Sequence, residues 1–305
     1  MQPFKYILSN NGTVTGVHSI PPKSARSIEH CPLIVGLHGG TYDSQYFDAT
    51  PKVSASLASV AFGVPFIAID RPSYGGTSSI LPIPDQSDFP QETGRWLHHY
   101  ILPKLWTEVG VPNGCNCIVL LGHSLGVMGA IVACALHTQD NIPLYPLGGL
   151  IASGMGNTSS LKTDMPSFVP IDSSHVMFPV DAKDKIMFKP GTVSSEVLEE
   201  SKRLNAISPL TEIAGFAIDW LPRWKQKWAA DVSAPVMFSL VDEDPFFDVN
   251  EEEINICAKA FKNSAVVDVS LVKGAPHCME LSCFSREWYT RCFSFAIKCA
   301  CDFNS

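Results

Sequence analysis

No stretch of this 305-residue chain strings together the 18 or so apolar residues that a membrane-crossing helix needs. Charge is scarce too: Asp, Glu, Lys and Arg make up 17% of the residues, with 30 acidic side chains against 22 basic ones. The formal charge of −8 disfavours nucleic acid or anionic membranes as partners. H-E-x-x-H and C-x-x-C are absent, as are G-x-G-x-x-G and G-x-x-x-x-G-K-[ST]. No metal centre, dinucleotide site or P-loop is therefore expected, and no cofactor.

Ten cysteines are present, but their spacing is not that of a disulfide framework. Cys115 with Cys117, and Cys299 with Cys301, are C-x-C pairs, while Cys134 and Cys257 fall in helix-like stretches. The opening Met1-Gln2-Pro3-Phe4-Lys5-Tyr6 lacks the basic region and apolar core of a secretory leader, and the ending is not Ser-Lys-Leu. The expectation is a cytoplasmic protein with reduced thiols, in which the sequons at Asn11 and Asn157 carry no meaning.

What is present is apolar material, 46% of the residues. A chain of this length buries roughly three-quarters of its unfolded surface without staples. Residues 4–9 and 14–19 flank Asn10-Asn11-Gly12, a hairpin signal. Apolar runs at 32–37, 64–69, 118–121, 147–151, 235–240 and 265–271 read as strands. Helix-like stretches at 95–109, after 124, at 248–262 and at 286–301 alternate with them. In the first of these, Pro103 predicts a kink, and the adjacent His98 and His99 diverge around the helix and read as surface residues. Such alternation predicts an α/β protein with a mostly parallel twisted sheet and helices on both faces.

Between 157 and 227 the alternation stops, and Pro, Met, Phe and Trp stand among polar residues. Seventy residues is too long for a bare loop, so the segment reads as an inserted lid of short helices. The expected division is a core of 1–156 and 228–305 with a lid at 157–227.

Gly122-His123-Ser124-Leu125-Gly126 is a G-x-S-x-G pattern between an apolar run and a helix-like stretch rich in Gly129, Ala130, Ala133 and Ala135. That setting is a nucleophile elbow, which lifts a serine hydroxyl above a sheet edge. Serine needs a base within hydrogen-bond reach. His277 follows the last strand in the Gly/Pro loop Lys273-Gly274-Ala275-Pro276, the position from which an imidazole can return to Ser124. The base needs an acid to fix its tautomer. Val241-Asp242-Glu243-Asp244-Pro245 ends the penultimate strand, and Asp244 is favoured over Asp242, with Glu243 third. For the developing oxyanion, the amides of Leu125 and Gly40 are the expected donors, with Thr41 behind Gly40.

His38-Gly39-Gly40, Asp70-Arg71-Pro72 with Tyr74-Gly75-Gly76, the elbow, the Asp244-Pro245 loop and the loop from Gly274 to His277 recur in the order of the α/β-hydrolase fold, which the chain resembles over nearly its whole length. The segments His38-Gly39-Gly40-Thr41-Tyr42-Asp43 and Ala275-Pro276-His277-Cys278-Met279-Glu280-Leu281 resemble, more narrowly, fungal hydrolases of polyketide and toxin biosynthetic clusters. One departure is Val241-Asp242-Glu243-Asp244 where the family often has Gly-x-x-Asp, which keeps Asp242 open as the acid.

Dehalogenases and epoxide hydrolases of this fold carry Asp at the elbow, and Ser124 argues against both. The resemblance implies a serine hydrolase of an ester, lactone or thioester, acting through an acyl-enzyme. A lid carrying Met165, Phe168, Met177, Phe178, Met187, Phe188, Phe216, Trp220 and Trp224 points to a medium-sized apolar acyl substrate. Two alternatives stay open: a non-hydrolytic cyclase or binding protein on the same fold, and an aminopeptidase of the proline-iminopeptidase type. The last would need lid acids facing the substrate amine, for which Asp164, Asp172, Asp181 and Asp184 are available.

Overall fold

The apolar runs become the strands of one large sheet. In the computed structural model, which describes residues 1–22, 29–160 and 167–303, eight strands build it. They are β1 (Gln2–Ile7), β2 (Thr13–Ser19), β3 (Pro32–Leu37), β4 (Phe66–Ile69), β5 (Cys117–His123), β6 (Leu147–Ser153), β7 (Val236–Val241) and β8 (Val267–Val272). Their order across the sheet is β1-β2-β4-β3-β5-β6-β7-β8. The hairpin β1–β2 and the pair β2–β4 are antiparallel, and every later pair is parallel. Every residue of β3, β4, β5, β6 and β7 is buried. Burial on both faces accounts for continuous apolar runs in place of an alternating pattern.

Five helices cover the sheet: α1 (Ala55–Phe62), α2 (Phe89–Trp96), α3 (Gly126–Gln139), α4 (Glu251–Ala260) and α5 (Ser285–Asp302). Helices α2, α3 and α4 enclose one core with Leu33, Leu120 and Phe238. Helices α1 and α5 enclose the other with Ile34, Phe66 and Leu121. Eight of the ten cysteines are buried.

Three expectations change. The helix expected at 95–109 starts earlier, at Phe89, because the Asp88 side chain accepts the Gln91 amide at 2.8 Å and caps it. Helical backbone then runs past Pro103 to Asn113, beyond the expected end at Val109. His98 is not a surface residue: it is fully buried, 2.9 Å from Asp140 and 3.1 Å from the Tyr145 hydroxyl. Its neighbour His99 is exposed, as the divergence around a helix requires.

The described residues 167–227 hold short helices, including Val180–Met187, Ser195–Glu199 and Leu210–Gly215. They also hold a small antiparallel sheet of Val169–Pro170, His175–Met177 and Ser208–Pro209, too short for a periodic signal. Trp220 and Trp224 stack at 6.2 Å and pack under Phe261, as core and not as roof. Met165 and Asp164 lie outside the described residues.

Candidate active site

Ser124 sits at the turn between β5 and α3 with a positive φ of 50°, a conformation a side chain adopts only when its surroundings hold it there. The Ser124 amide donates to the Ser153 carbonyl at 2.8 Å, and the Val127 amide donates to the Ser124 carbonyl at 2.9 Å. Gly126 has no room for a side chain, since a Cβ there would fall 2.3 Å from the Leu37 carbonyl oxygen. At Gly122 a Cβ would press on the Val127 backbone at 3.0 Å. The two glycines let strand and helix close around the serine, leaving its side chain half-buried at the sheet's carboxyl edge.

His277 comes from the loop after β8 and is 2% exposed. Its Nε2 lies 3.0 Å from Ser124 Oγ, and its Nδ1 lies 2.8 Å from Asp244 Oδ2. Asp244 is wholly buried, and its second oxygen accepts the Phe246 amide at 2.9 Å. With Nδ1–H donating to the carboxylate, Nε2 is left to accept the serine proton. Asp242 is turned elsewhere and accepts the Gly274 amide at 2.9 Å. Glu243 pairs with Lys189 at 2.5 Å on the surface.

The loop 38–41 lies beside the elbow. His38 Nε2 accepts the Arg71 amide at 3.1 Å, so Nδ1 carries the proton and donates to the Gly39 carbonyl at 2.7 Å. Burial, reinforced by the Arg71 charge, holds His38 well below the ordinary histidine range. Gly40 touches Leu125, for a Cβ there would meet Leu125 Cδ1 at 2.6 Å. The amides of Gly40 and Leu125 have no acceptor among the described residues. The Thr41 amide is already engaged, donating to Ser208 Oγ at 3.0 Å.

Several polar residues that support this floor carry no local sequence signal. His123 stacks on Tyr46 at 5.0 Å, and burial, with the charges of His277 and His38, keeps it well below the usual range. Behind it Glu280, whose carboxyl is raised by burial, accepts from Tyr46 at 2.7 Å and from Trp288 at 2.8 Å. Arg71 is buried too. Its guanidinium pairs with Glu212 of the inserted segment, Tyr74 also donates to Glu212, and Arg71 lies 4.7 Å over the Tyr74 ring.

A cavity of about 300 Å³ opens above Ser124. Gly40, Leu125, Phe246 and Phe247 line it from below, and Phe168, Phe178, Met187, Ile213 and Phe216 from the inserted segment. Among the described residues no charged side chain lines it. Asp172, Asp181 and Asp184 are not among the lining residues, and Asp184 instead accepts from Ser201 at 2.5 Å. Phe188 and Met177, expected beside the others, also lie outside the lining. Among the described residues no group of three or more His, Cys, Asp or Glu is arranged to hold a metal ion. No helix among them is long and apolar enough to cross a membrane.

A sequence profile of the alpha/beta hydrolase family matches residues 34–286. The chain belongs to that family. No curated protein sequence matches it. Among solved structures, a soluble variant of monoglyceride lipase from Saccharomyces cerevisiae is similar with a TM-score of 0.65 and 14% identity, over 98% of this chain and 95% of that one. A thermophilic esterase from Thermogutta terrifontis is similar at 0.57 and 17%, over 98% and 100% of the two chains. An epoxide hydrolase from Vigna radiata reaches 0.58 with 13% identity, over 97% and 98%. At such identities the likeness speaks to the fold, and activity has to be argued from the site.

Proposed function

We propose that this α/β hydrolase cleaves neutral, apolar carboxylic esters, lactones or thioesters through an acyl-enzyme on Ser124. One observation carries the reading: the Ser124–His277–Asp244 chain of 3.0 and 2.8 Å contacts lies at the floor of a cavity that, among the described residues, no charged side chain lines. His277 takes the Ser124 proton as Oγ attacks the carbonyl, and Asp244 stabilises the imidazolium. The oxyanion turns toward the amides of Leu125 and Gly40. The protonated His277 then gives its proton to the leaving oxygen or sulfur. Water, activated by the same imidazole, releases the acyl group.

Serine at the elbow distinguishes this reading from epoxide opening. Residues 157–227 act in it as a cap whose aromatic side chains select the acyl group. A volume near 300 Å³ is at the small end of ligand pockets and favours one medium-sized acyl or aryl group over a peptide. The segments around His38 and His277 favour a polyketide-like carbonyl compound of fungal secondary metabolism.

The test is a fluorophosphonate probe together with aryl esters of rising chain length and an aminoacyl anilide. Labelling at Ser124, with esters cleaved faster than the anilide, is the expected result. A protein that resists the probe, or prefers the anilide, overturns the reading.

A further inference from the structure

Thr41 follows Gly40 and adopts a φ of +64°, a left-handed backbone that costs a β-branched residue strain. Something outside the loop must hold it there. Three groups do so, all from the inserted segment. Ser208 Oγ accepts the Thr41 amide at 3.0 Å, the Ala206 amide donates to the Thr41 carbonyl at 2.9 Å, and Lys183 Nζ donates to the same carbonyl at 3.1 Å. Both peptide units flanking Thr41 are thereby gripped from above, while His38 grips the Gly39 carbonyl from below.

Lys183 is the unexpected member. Its side chain is 1% exposed, and the ammonium rests 3.9 Å from the Tyr42 ring centroid. Its second acceptor is the Leu204 carbonyl at 2.9 Å, and among the described residues no carboxylate lies within salt-bridge distance. A buried lysine among carbonyls and an aromatic face is a poor device for stability, because desolvating the charge is uphill. What it does accomplish is to tie residues 41 and 204, on opposite sides of the interface, to a single point.

We propose that Lys183, with Ser208, is a positioning residue for the oxyanion-binding loop, so that the inserted segment sets the direction of the Gly40 amide as well as roofing the cavity. The proposal rests on the hydrolase reading above. Neither residue touches the reacting atoms. Lys183 acts on the Thr41 carbonyl and Ser208 on the Thr41 amide, and together they hold the turn that follows Gly40. Loss of either lets Thr41 relax toward negative φ and swings the Gly40 amide away from the oxyanion. A substrate still binds in the apolar cavity, but its transition state loses a donor.

The experiment compares wild type, Lys183→Met and Ser208→Ala. Methionine keeps the length of the side chain and removes its donors. Fluorophosphonate labelling of the wild type comes first: absence of labelling overturns the hydrolase reading and this proposal with it. With the wild type labelled, kcat and KM are measured on a short aryl ester, beside the inhibition constant of an aryl trifluoromethyl ketone, which forms a tetrahedral adduct. In Lys183→Met, kcat is expected to fall about 10- to 100-fold, the scale of a weakened oxyanion donor, with KM within about twofold. The ketone should lose affinity by the same factor as kcat. Ser208→Ala should show the same pattern more weakly, and it carries the test if Lys183→Met does not fold. Folded variants with unchanged kcat, or with the loss confined to KM, overturn the proposal and leave the hydrolase reading standing.

Discussion

Asp242 and Asp244 leave the same strand end two residues apart and serve different partners: Asp244 faces His277 Nδ1 at 2.8 Å, while Asp242 accepts the Gly274 amide at 2.9 Å. Both contacts hold the histidine loop, but only one reaches the imidazole. Asp244→Asn is therefore expected to lower kcat by roughly 10⁴-fold, through the wrong tautomer of His277. Asp242→Asn retains an acceptor for Gly274 and should cost less than about tenfold. Steady-state kinetics on one ester decides, and the reverse ranking would assign the acid to Asp242.

Ser124→Ala removes the proposed nucleophile without touching Gly122 or Gly126, whose close approaches shape the turn. Turnover should fall at least about 10⁴-fold, with circular dichroism and melting temperature close to wild type. The left-handed backbone at position 124 is held by its neighbours, so alanine inherits it. Substantial residual turnover would point to a non-hydrolytic role for the fold.

The buried pair Arg71–Glu212 joins the strand-end loop to the inserted segment. Glu212→Ala leaves a guanidinium in a site that water does not reach, and should destabilise by about 3–5 kcal/mol. Arg71→Met with Glu212→Leu removes both charges and should recover most of that loss. Urea unfolding of wild type and the two variants measures it. Equal destabilisation by the single and double changes would show that packing, not charge, is what the pair supplies.

Lys183 gives a pH signature, since burial brings its ammonium down from 10.5 to about 8. Between those values the unfolded chain binds the proton that the folded chain has released, so this group's contribution to stability rises with pH. Below about 8 its burial penalty is complete. Buried thiols such as Cys278, pushed up to about 12, act oppositely from pH 9 upward, so the wild-type profile mixes both trends. The difference between wild type and Lys183→Met isolates the lysine. Relative to the variant, wild type should gain stability on the order of 3 kcal/mol from pH 8 to 10.5. A flat difference across that window would mean that Lys183 is solvated in the folded protein.

The strands were legible because burial on both faces demands unbroken apolar runs, and the runs at 32–37 and 235–240 sit where β3 and β7 form, within a residue. Ser124, His277 and Asp244 could be singled out because each follows a strand end, where the chain must turn and display a side chain. The supports of the site had no such marker. Lys183 reaches Thr41 across 142 positions, Glu212 reaches Arg71 across 141, and Ser208 reaches Thr41 across 167. In the sequence they are ordinary polar residues in an irregular stretch. His98 was misleading for the same reason. Adjacent histidines that diverge around a helix read as surface residues, yet Asp140 and Tyr145, 42 and 47 positions away, give His98 a buried home.

The grip on Thr41 also bears on how such a protein can change its diet. Transplanting a foreign roof onto this sheet would alter the walls of the cavity, but it would also delete the residues at 183, 206, 208 and 212 that steady the machinery beneath. A graft that keeps those four positions and varies Phe168, Phe178, Ile213 and Phe216 separates the two tasks. New preferences can then arise in the ceiling while the reaction below keeps its geometry.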